Sequence, residues 1–209
     1  NGIERWPQEF TTLHAMGLAN LAGIEQTIAD FGIDCGYHRT GDLQVVTERY
    51  QVEHARDHVR KVQDHGVDVE LWDTDRIREE VHSPTYLAAI QDPDVGIVDP
   101  ARLAWGLARA AEDLGVRIHE NSGVEALQPS GAGMAVRTFG GRVETLKVAL
   151  TTAAHAPLLK RLDLFVVPVF DHVIATAPLP ADVRDSLGWN HRQGIGDSGN
   201  QFHYYRLTD

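Results

Sequence analysis

The stretch Val98-Asp-Pro-Ala-Arg-Leu-Ala-Trp-Gly-Leu-Ala-Arg-Ala-Ala-Glu-Asp-Leu-Gly-Val-Arg-Ile-His119 decides how the chain is read. Asp99 can accept from the orphan N–H groups of a first helical turn, and Pro100 suits the first helical position, where its missing N–H is no loss. Leu103, Leu107, Ala110, Ala111 and Leu114 recur at three- and four-residue spacing and make one apolar stripe, after which Gly115 stops the helix. Val116 to Val124 is then expected as a buried strand entered without a pause. A hairpin follows, with Met134 to Phe139, a Gly140-Gly141 turn and Arg142 to Leu150, closing on the small-residue turn Thr151-Thr-Ala-Ala154. A capped amphipathic helix delivered into a strand and hairpin points to an α/β nucleotide-cofactor fold.

Outward from that unit, Phe10, Leu13, Gly17, Leu21, Ile24, Ile28 and Phe31 predict one long helix over Pro7 to Phe31, stopped by Gly32. Tyr37 to Val46 reads as a strand, Glu48 to His65 as a polar helix and Val67 to Trp72 as a short strand. Thr74 is expected to cap a small helix through Val81. Ser83 to Val98, holding Asp92-Pro-Asp94 and Gly96, reads as loop with short strand character. Leu158 to Leu162 reads as a helical turn, Phe165 to Ala177 as a long β run broken by Pro178 and Pro180, Val183 to Leu187 as a short helix and Gln201 to Leu207 as a strand. There is no repeat and no low-complexity tract. The alternation predicts an α+β or α/β chain in which residues 1–97 and 161–209 build a mixed-sheet substrate lobe, interwoven with a cofactor-lobe segment over 98–160.

Composition narrows the function classes. With 209 residues and 43% hydrophobic content, a core burying roughly 70% of the unfolded chain's surface is available. A net charge of −11 without a Lys/Arg cluster argues against nucleic-acid and anionic-membrane partners, which need concentrated positive charge, and would tolerate a cationic amine. The single Cys35 excludes an intramolecular disulfide and fits a reducing cytoplasm. Neither a signal peptide nor an 18-residue apolar run is visible within these 209 residues, and the missing start hides any true N-terminus.

Asp99-Pro-Ala-Arg-Leu103, the helix ending Glu112-Asp-Leu-Gly-Val116, the strand reaching Val124 and Val148-Ala-Leu-Thr-Thr-Ala-Ala154 together resemble the D-amino-acid oxidase-like family of FAD-dependent oxidoreductases. The similarity is to the branch with glycine, sarcosine and γ-glutamylputrescine oxidases, and it covers most of the chain. Gly32 to Leu43 looks like the start of the family's substrate domain, and Asn200 to Arg206 like the strand that overhangs the flavin ring. The resemblance implies FAD as cofactor, with Val124 offering backbone groups to the adenine and Thr152 and Ala153 running close to the pyrophosphate or ribose. It implies substrate-side roles for Tyr204 and Arg206. It also implies oxidation of a C–N bond in a small amine or amino acid, with hydride passing to flavin, imine hydrolysis and reoxidation by oxygen. Flavin carries that chemistry, so no Asp/Glu/His dyad is required and no catalytic side chain is assigned.

The sequence departs from the family in two ways. Ala153 stands where glycine is frequent and Thr151 where alanine is. The family's opening strand, Gly-x-Gly-x-x-Gly turn and helix do not precede Asn1, so the chain is expected to be an internal piece of a longer enzyme, inactive and weak in FAD binding by itself. A non-catalytic binding module on a degenerate flavoprotein fold is the second reading, favoured by Ala153.

Other motifs read more plainly. Gly194-Ile-Gly-Asp-Ser-Gly199 satisfies the dinucleotide pattern but lacks a buried strand before it and a helix after it, so it reads as a glycine loop. Thr152-Ala-Ala-His155 with Gly196-Asp-Ser-Gly199 resembles serine-protease segments. The 43 positions from His155 to Ser198 are too few for the strands and orienting Asp that lie between them in that fold. His54 and His58 have an i,i+4 metal-capable spacing, yet Glu53, Arg56, Asp57, Arg60, Lys61 and Asp64 make a solvated face with ion pairs of about 0.2–0.5 kcal/mol each. No metal site is expected.

Overall fold

The computed structural model describes residues 2–153, 155, 158–159, 161, 164–199 and 202–208. Expectations touching Ala154, Lys160, Leu162, Asn200, Gln201 and Asp209 therefore fall outside the described residues. By contacts the chain divides into two compact units, residues 1–115 with 178–209, and residues 116–177.

In the first unit a short helix α1 (Gly2–Arg5) precedes the long helix α2 (Pro7–Asp30). The expected stop holds, since Gly32 takes the left-handed φ of 58°. None of the side chains of α2 is buried, although Phe10 packs against the core. The five-stranded mixed sheet comprises β1 (Asp42–Val46), β2 (Glu70–Trp72), β3 (Ala88–Asp92), β7 (Gly194–Asp197) and β8 (Tyr204–Tyr205), in the order β2-β3-β1-β7-β8. Central β1 pairs antiparallel with β3, Asp42 opposite Asp92 and Val46 opposite Ala88, and parallel with β7, Leu43 opposite Ile195.

Period-two alternation sends β1 side chains to two cores. Leu43, Val45, Ala89 and Ile195 pack with Ile77, Val81, Tyr86 and Trp189 on one face. Val46, Ala88 and Ile90 pack on the other with Ala55, Val59 and Val62 of α3 (Arg49–Gln63). The polar sequence of α3 thus conceals a narrow buried stripe. Its start is fixed by a capping box in which the Glu48 backbone N donates to Gln51 Oε1 at 3.2 Å. The small helix α4 (Thr74–Glu80) is capped by Asp73, whose carboxylate accepts from the Arg76 backbone N at 2.9 Å. Thr74, the expected cap, instead donates its hydroxyl to the Leu87 carbonyl at 2.6 Å. The Asp side chain one residue earlier is in the better geometry for the N3 amide.

Helix α5 (Pro100–Asp113) forms as the opening stretch predicts, with Asp99 accepting from Ala101 N at 2.9 Å and Arg102 N at 3.0 Å. Gly115 ends it at φ 90°. Gly106 on α5 lies so close to Ile33 that a Cβ there would sit 2.2 Å from Ile33 Cγ2. A last short helix, α6 (Ala181–Ser186), matches expectation.

The second unit holds an antiparallel meander of β4 (Val124–Ser130), β5 (Gly133–Thr138) and β6 (Gly141–Thr145). Phe139-Gly140 connects the predicted hairpin, and β6 ends at Thr145 rather than at Leu150.

Several expected strands are corrected. Residues 116–123 are irregular, with Asn121 at φ 51°, because exposed Val116 and Ile118 find no neighbouring strand to pair their backbone. The run from Phe165 to Ala177 forms no β-strand among the described residues, and its apolar side chains are exposed. Tyr37 to Thr40 stay outside the sheet except for one bridge from His38 to Ile97. The strand expected over Gln201 to Leu207 reduces to Tyr204–Tyr205, and Gly194–Asp197 is a strand rather than a loop. The segment expected as mostly loop supplies β3, which pairs directly with the central strand.

Candidate functional site

Asp42, Gln44 and Gly196 share the sheet face opposite Leu43, Val45 and Ile195, and the pairing of Gly196 with Tyr204 puts Tyr204 on that same face. Over the β1 and β3 part of this face lies a cavity of about 690 Å³ whose wall includes Asp42, Gln44, Ile90 and Asp92. Helices α1, α2 and α3 close it with Glu4, Phe10, His14, His54, Asp57, His58 and Lys61. Lys61 is held by Glu4, Nζ to Oε1 at 2.8 Å.

The floor of the cavity is acidic. The sheet register sets Asp42 against Asp92, and burial first, then the neighbouring carboxylate, push the Asp42 carboxyl up from its ordinary 3.8 to about 6. Asp92 has a structural duty as well, its Oδ1 accepting from the Asp94 backbone N at 2.9 Å. Such a wall attracts an ammonium group, and a carboxyl that titrates near 6 can exchange a proton with it close to neutral pH. His54 and His58 both line this cavity, yet among the described residues no group of three or more His, Cys, Asp or Glu side chains is arranged to hold a metal.

The sequence-predicted residues are placed as follows. Tyr204 is 60% exposed and stacks on Phe202 with ring centroids 6.0 Å apart. Its neighbour Tyr205 turns to the other face, where its hydroxyl hydrogen-bonds that of Tyr86 and its ring meets Trp189 edge-on at 6.0 Å. Arg206 donates to the Val98 carbonyl, tying the C-terminal strand to the segment leading into α5. In the second unit, Val124 opens β4 and is partly exposed, and Thr152 is exposed with its carbonyl accepting from His155 N at 3.0 Å. Ala153 adopts a left-handed φ of 47°. That conformation favours glycine, the residue frequent at this position in the family, so the turn keeps a glycine-type shape despite the alanine.

Asp42 and Asp92 are the residues missed in the sequence. Asp42 lies within an expected strand and Asp92-Pro-Asp94 within an expected loop, and only strand pairing makes them a couple. Near Ser198, burial pushes the Asp197 carboxyl up, but hydrogen bonds from the His203 ring at 2.7 Å and from the backbone N of Gly199 and His203 outweigh this and hold it below its ordinary value. The mixed fold is not the pair of β-barrels that a chymotrypsin-like reading needs.

Comparison with known proteins agrees with this architecture. The glycine oxidase crystal structure from Geobacillus kaustophilus superposes with a TM-score of 0.62 over 68% of this chain and 40% of its own, at 23% identity. The L-proline dehydrogenase of P. horikoshii gives 0.57 over 66% of this chain and 38% of its own, at 20% identity. Among curated proteins, the chain is 31% identical over 191 residues to γ-glutamylputrescine oxidoreductase of Escherichia coli, covering 88% of this chain and 43% of the relative. It is 27% identical over 199 residues to a probable oxidoreductase, OrdL, of Haemophilus influenzae, covering 92% of this chain and 46% of the relative. The chain thus spans less than half the length of these relatives. The sequence profile described as FAD dependent oxidoreductase matches residues 3–209, and the chain belongs to that DAO family.

Proposed function

We propose that the whole protein is an FAD-dependent oxidoreductase that oxidises the C–N bond of a small amine or amino acid. The observation that carries this reading, beyond family membership, is the acidic cavity at Asp42 and Asp92, whose charge suits a cationic amine. FAD, when bound, would supply the acceptor for the hydride that leaves the carbon beside nitrogen, with oxygen or another acceptor as the final oxidant. The chain's own residues do the rest. Asp42 takes a proton from the substrate ammonium so that the nitrogen lone pair is free to form the imine, which water then hydrolyses. Tyr204 presents its ring to the substrate side, and Arg206 keeps that side in register through Val98. Val124, Thr152 and Ala153 in the second unit face the cofactor. The lobe assignment proposed is a substrate lobe from 1–97 and 161–209 and a cofactor-lobe segment from 98–160.

The similarity to γ-glutamylputrescine oxidoreductase and to sarcosine oxidase subunit beta of Arthrobacter, 30% identical over 130 residues, supports amines as the substrate class. The test is Asp42→Asn in the flavin-loaded whole protein. Loss of a positioned proton acceptor should lower kcat/KM at least about tenfold and remove an acid limb near pH 6 from its pH profile. An unchanged kcat/KM and an unchanged acid limb would remove Asp42 from the mechanism.

A further inference from the structure

We infer that a second small-molecule site lies on the sheet face opposite Tyr204, and that its ligand is a small zwitterion carrying both an ammonium and a carboxylate, as an amino acid does. The site is a cavity of about 360 Å³, within the range that holds small ligands. Trp72 in its wall packs against the cluster of Leu43, Val45 and Ile195, which fixes the face.

Two oxygens in this cavity's wall are buried without a hydrogen-bond partner, Thr40 Oγ1 and Gln193 Oε1. Gln193 is only 5% exposed, so its orphaned oxygen bears the full cost of desolvation unless a donor is brought to it. The amide cannot be turned around to relieve this, because Nε2 already donates at 3.1 Å to Glu80 Oε1. Glu80 is itself 7% exposed, and the same Oε1 also contacts His191 Nδ1 at 2.5 Å. An amide oxygen, a hydroxyl and a buried carboxyl group therefore line one cavity, two of them without a donor, which suits a group with several N–H donors. An ammonium supplies three.

The opposite charge is supplied at the rim. Arg39 is fully engaged, its guanidinium bonded to Glu25 at 3.3 Å and to Asp94 at 2.5 Å. Arg76 is not. Its contact to Glu79 is long, at 3.6 Å, and its guanidinium lies over the Trp72 ring, 4.8 Å from the centroid. A guanidinium fixed by stacking, with N–H groups to spare, is suited to bind a carboxylate. Ammonium at Gln193 and Thr40 beside Glu80, with carboxylate at Arg76, would satisfy both orphaned oxygens and engage the guanidinium.

Glycine is the probe, with methylamine and acetate as its two halves. The whole flavin-loaded protein is labelled with 5-fluorotryptophan, and the fluorine resonance of Trp72 is identified by its loss in Trp72→Phe. Glycine should shift that resonance saturably. Thr40→Val, which keeps the side-chain shape, and Arg76→Gln should each weaken the apparent affinity at least about fivefold. Methylamine and acetate should each shift it only at much higher concentration. Absence of a saturable shift, a shift indifferent to both variants, or an equal response to either half of the probe would each overturn the inference.

Discussion

Replacing Gly106 by alanine probes how α5 is seated. In an exposed helix interior, Gly→Ala is favourable by about 0.5–1 kcal/mol, because glycine loses more backbone freedom on folding. At Gly106 the new Cβ would stand 2.2 Å from Ile33 Cγ2 and 3.1 Å from Ile33 Cβ. Neither atom is the end of a flexible chain, and Ile33 is buried, so the helix must shift. Overpacking of that kind costs about 1–3 kcal/mol, which leaves a net loss of up to about 2.5 kcal/mol after the propensity gain. The control is the same substitution at Gly23 on α2, where a Cβ meets nothing within 4 Å and a gain of about 0.5–1 kcal/mol is expected. Urea unfolding of the whole protein, with Ile33→Ala added to the Gly106 variant as a double-mutant cycle, measures both. Opposite signs at the two sites, with Ile33→Ala less harmful in the variant than in the parent, are expected. Equal stabilisation by both alanines would refute the proposed seating of α5 on Ile33.

Leu43→Ala, at a fully buried position of the central strand, should cost about 2–5 kcal/mol by denaturant titration. Asp99→Ala should lower Tm by removing the cap of α5, while Asp99→Asn retains most of it. Since those hydrogen bonds hold the Asp99 carboxyl below its ordinary value, the cap's contribution is present above the unfolded pKa and fades as pH falls through the folded one. Asp42 has the opposite sign. Its folded pKa near 6 exceeds the unfolded value near 3.8, so the folded state holds the extra proton and stability declines as pH rises from about 4 to about 6. Asp42→Asn should flatten that decline and add about 1–2 kcal/mol at pH 8, a figure reduced for the carboxyl's partial contact with solvent.

Local signals in the sequence were most informative where structure is locally determined. Asp99, Pro100 and Gly115 punctuate α5 by bonds and dihedrals that involve only their neighbours, and the β5–β6 hairpin is set by its own turn, one residue earlier than the glycine pair suggests. The strands expected at 116–124 and 165–177 show the limit, because an apolar run becomes a strand only when another backbone pairs with it. Gly194–Asp197 errs in the other direction, since parallel pairing with β1 makes a strand of a glycine-rich motif. Asp73 displaced Thr74 as a cap through a one-residue offset that sequence pattern does not resolve. In the candidate site, Tyr204 could be placed by alternation on a strand. The apposition of Asp42 and Asp92 depends on a register spanning fifty residues, and the orphaned oxygens of Thr40 and Gln193 on packing alone.

The reaction proposed for the whole protein is a flavin-dependent oxidation of an amine or amino acid. The most direct measurement is the visible absorption of the protein expressed from its complete reading frame, before and after anaerobic addition of amines and amino acids. Flavin bands that bleach with an amine or amino acid are predicted. A colourless protein that refuses added FAD, or bands that no amine or amino acid bleaches, would contradict the account.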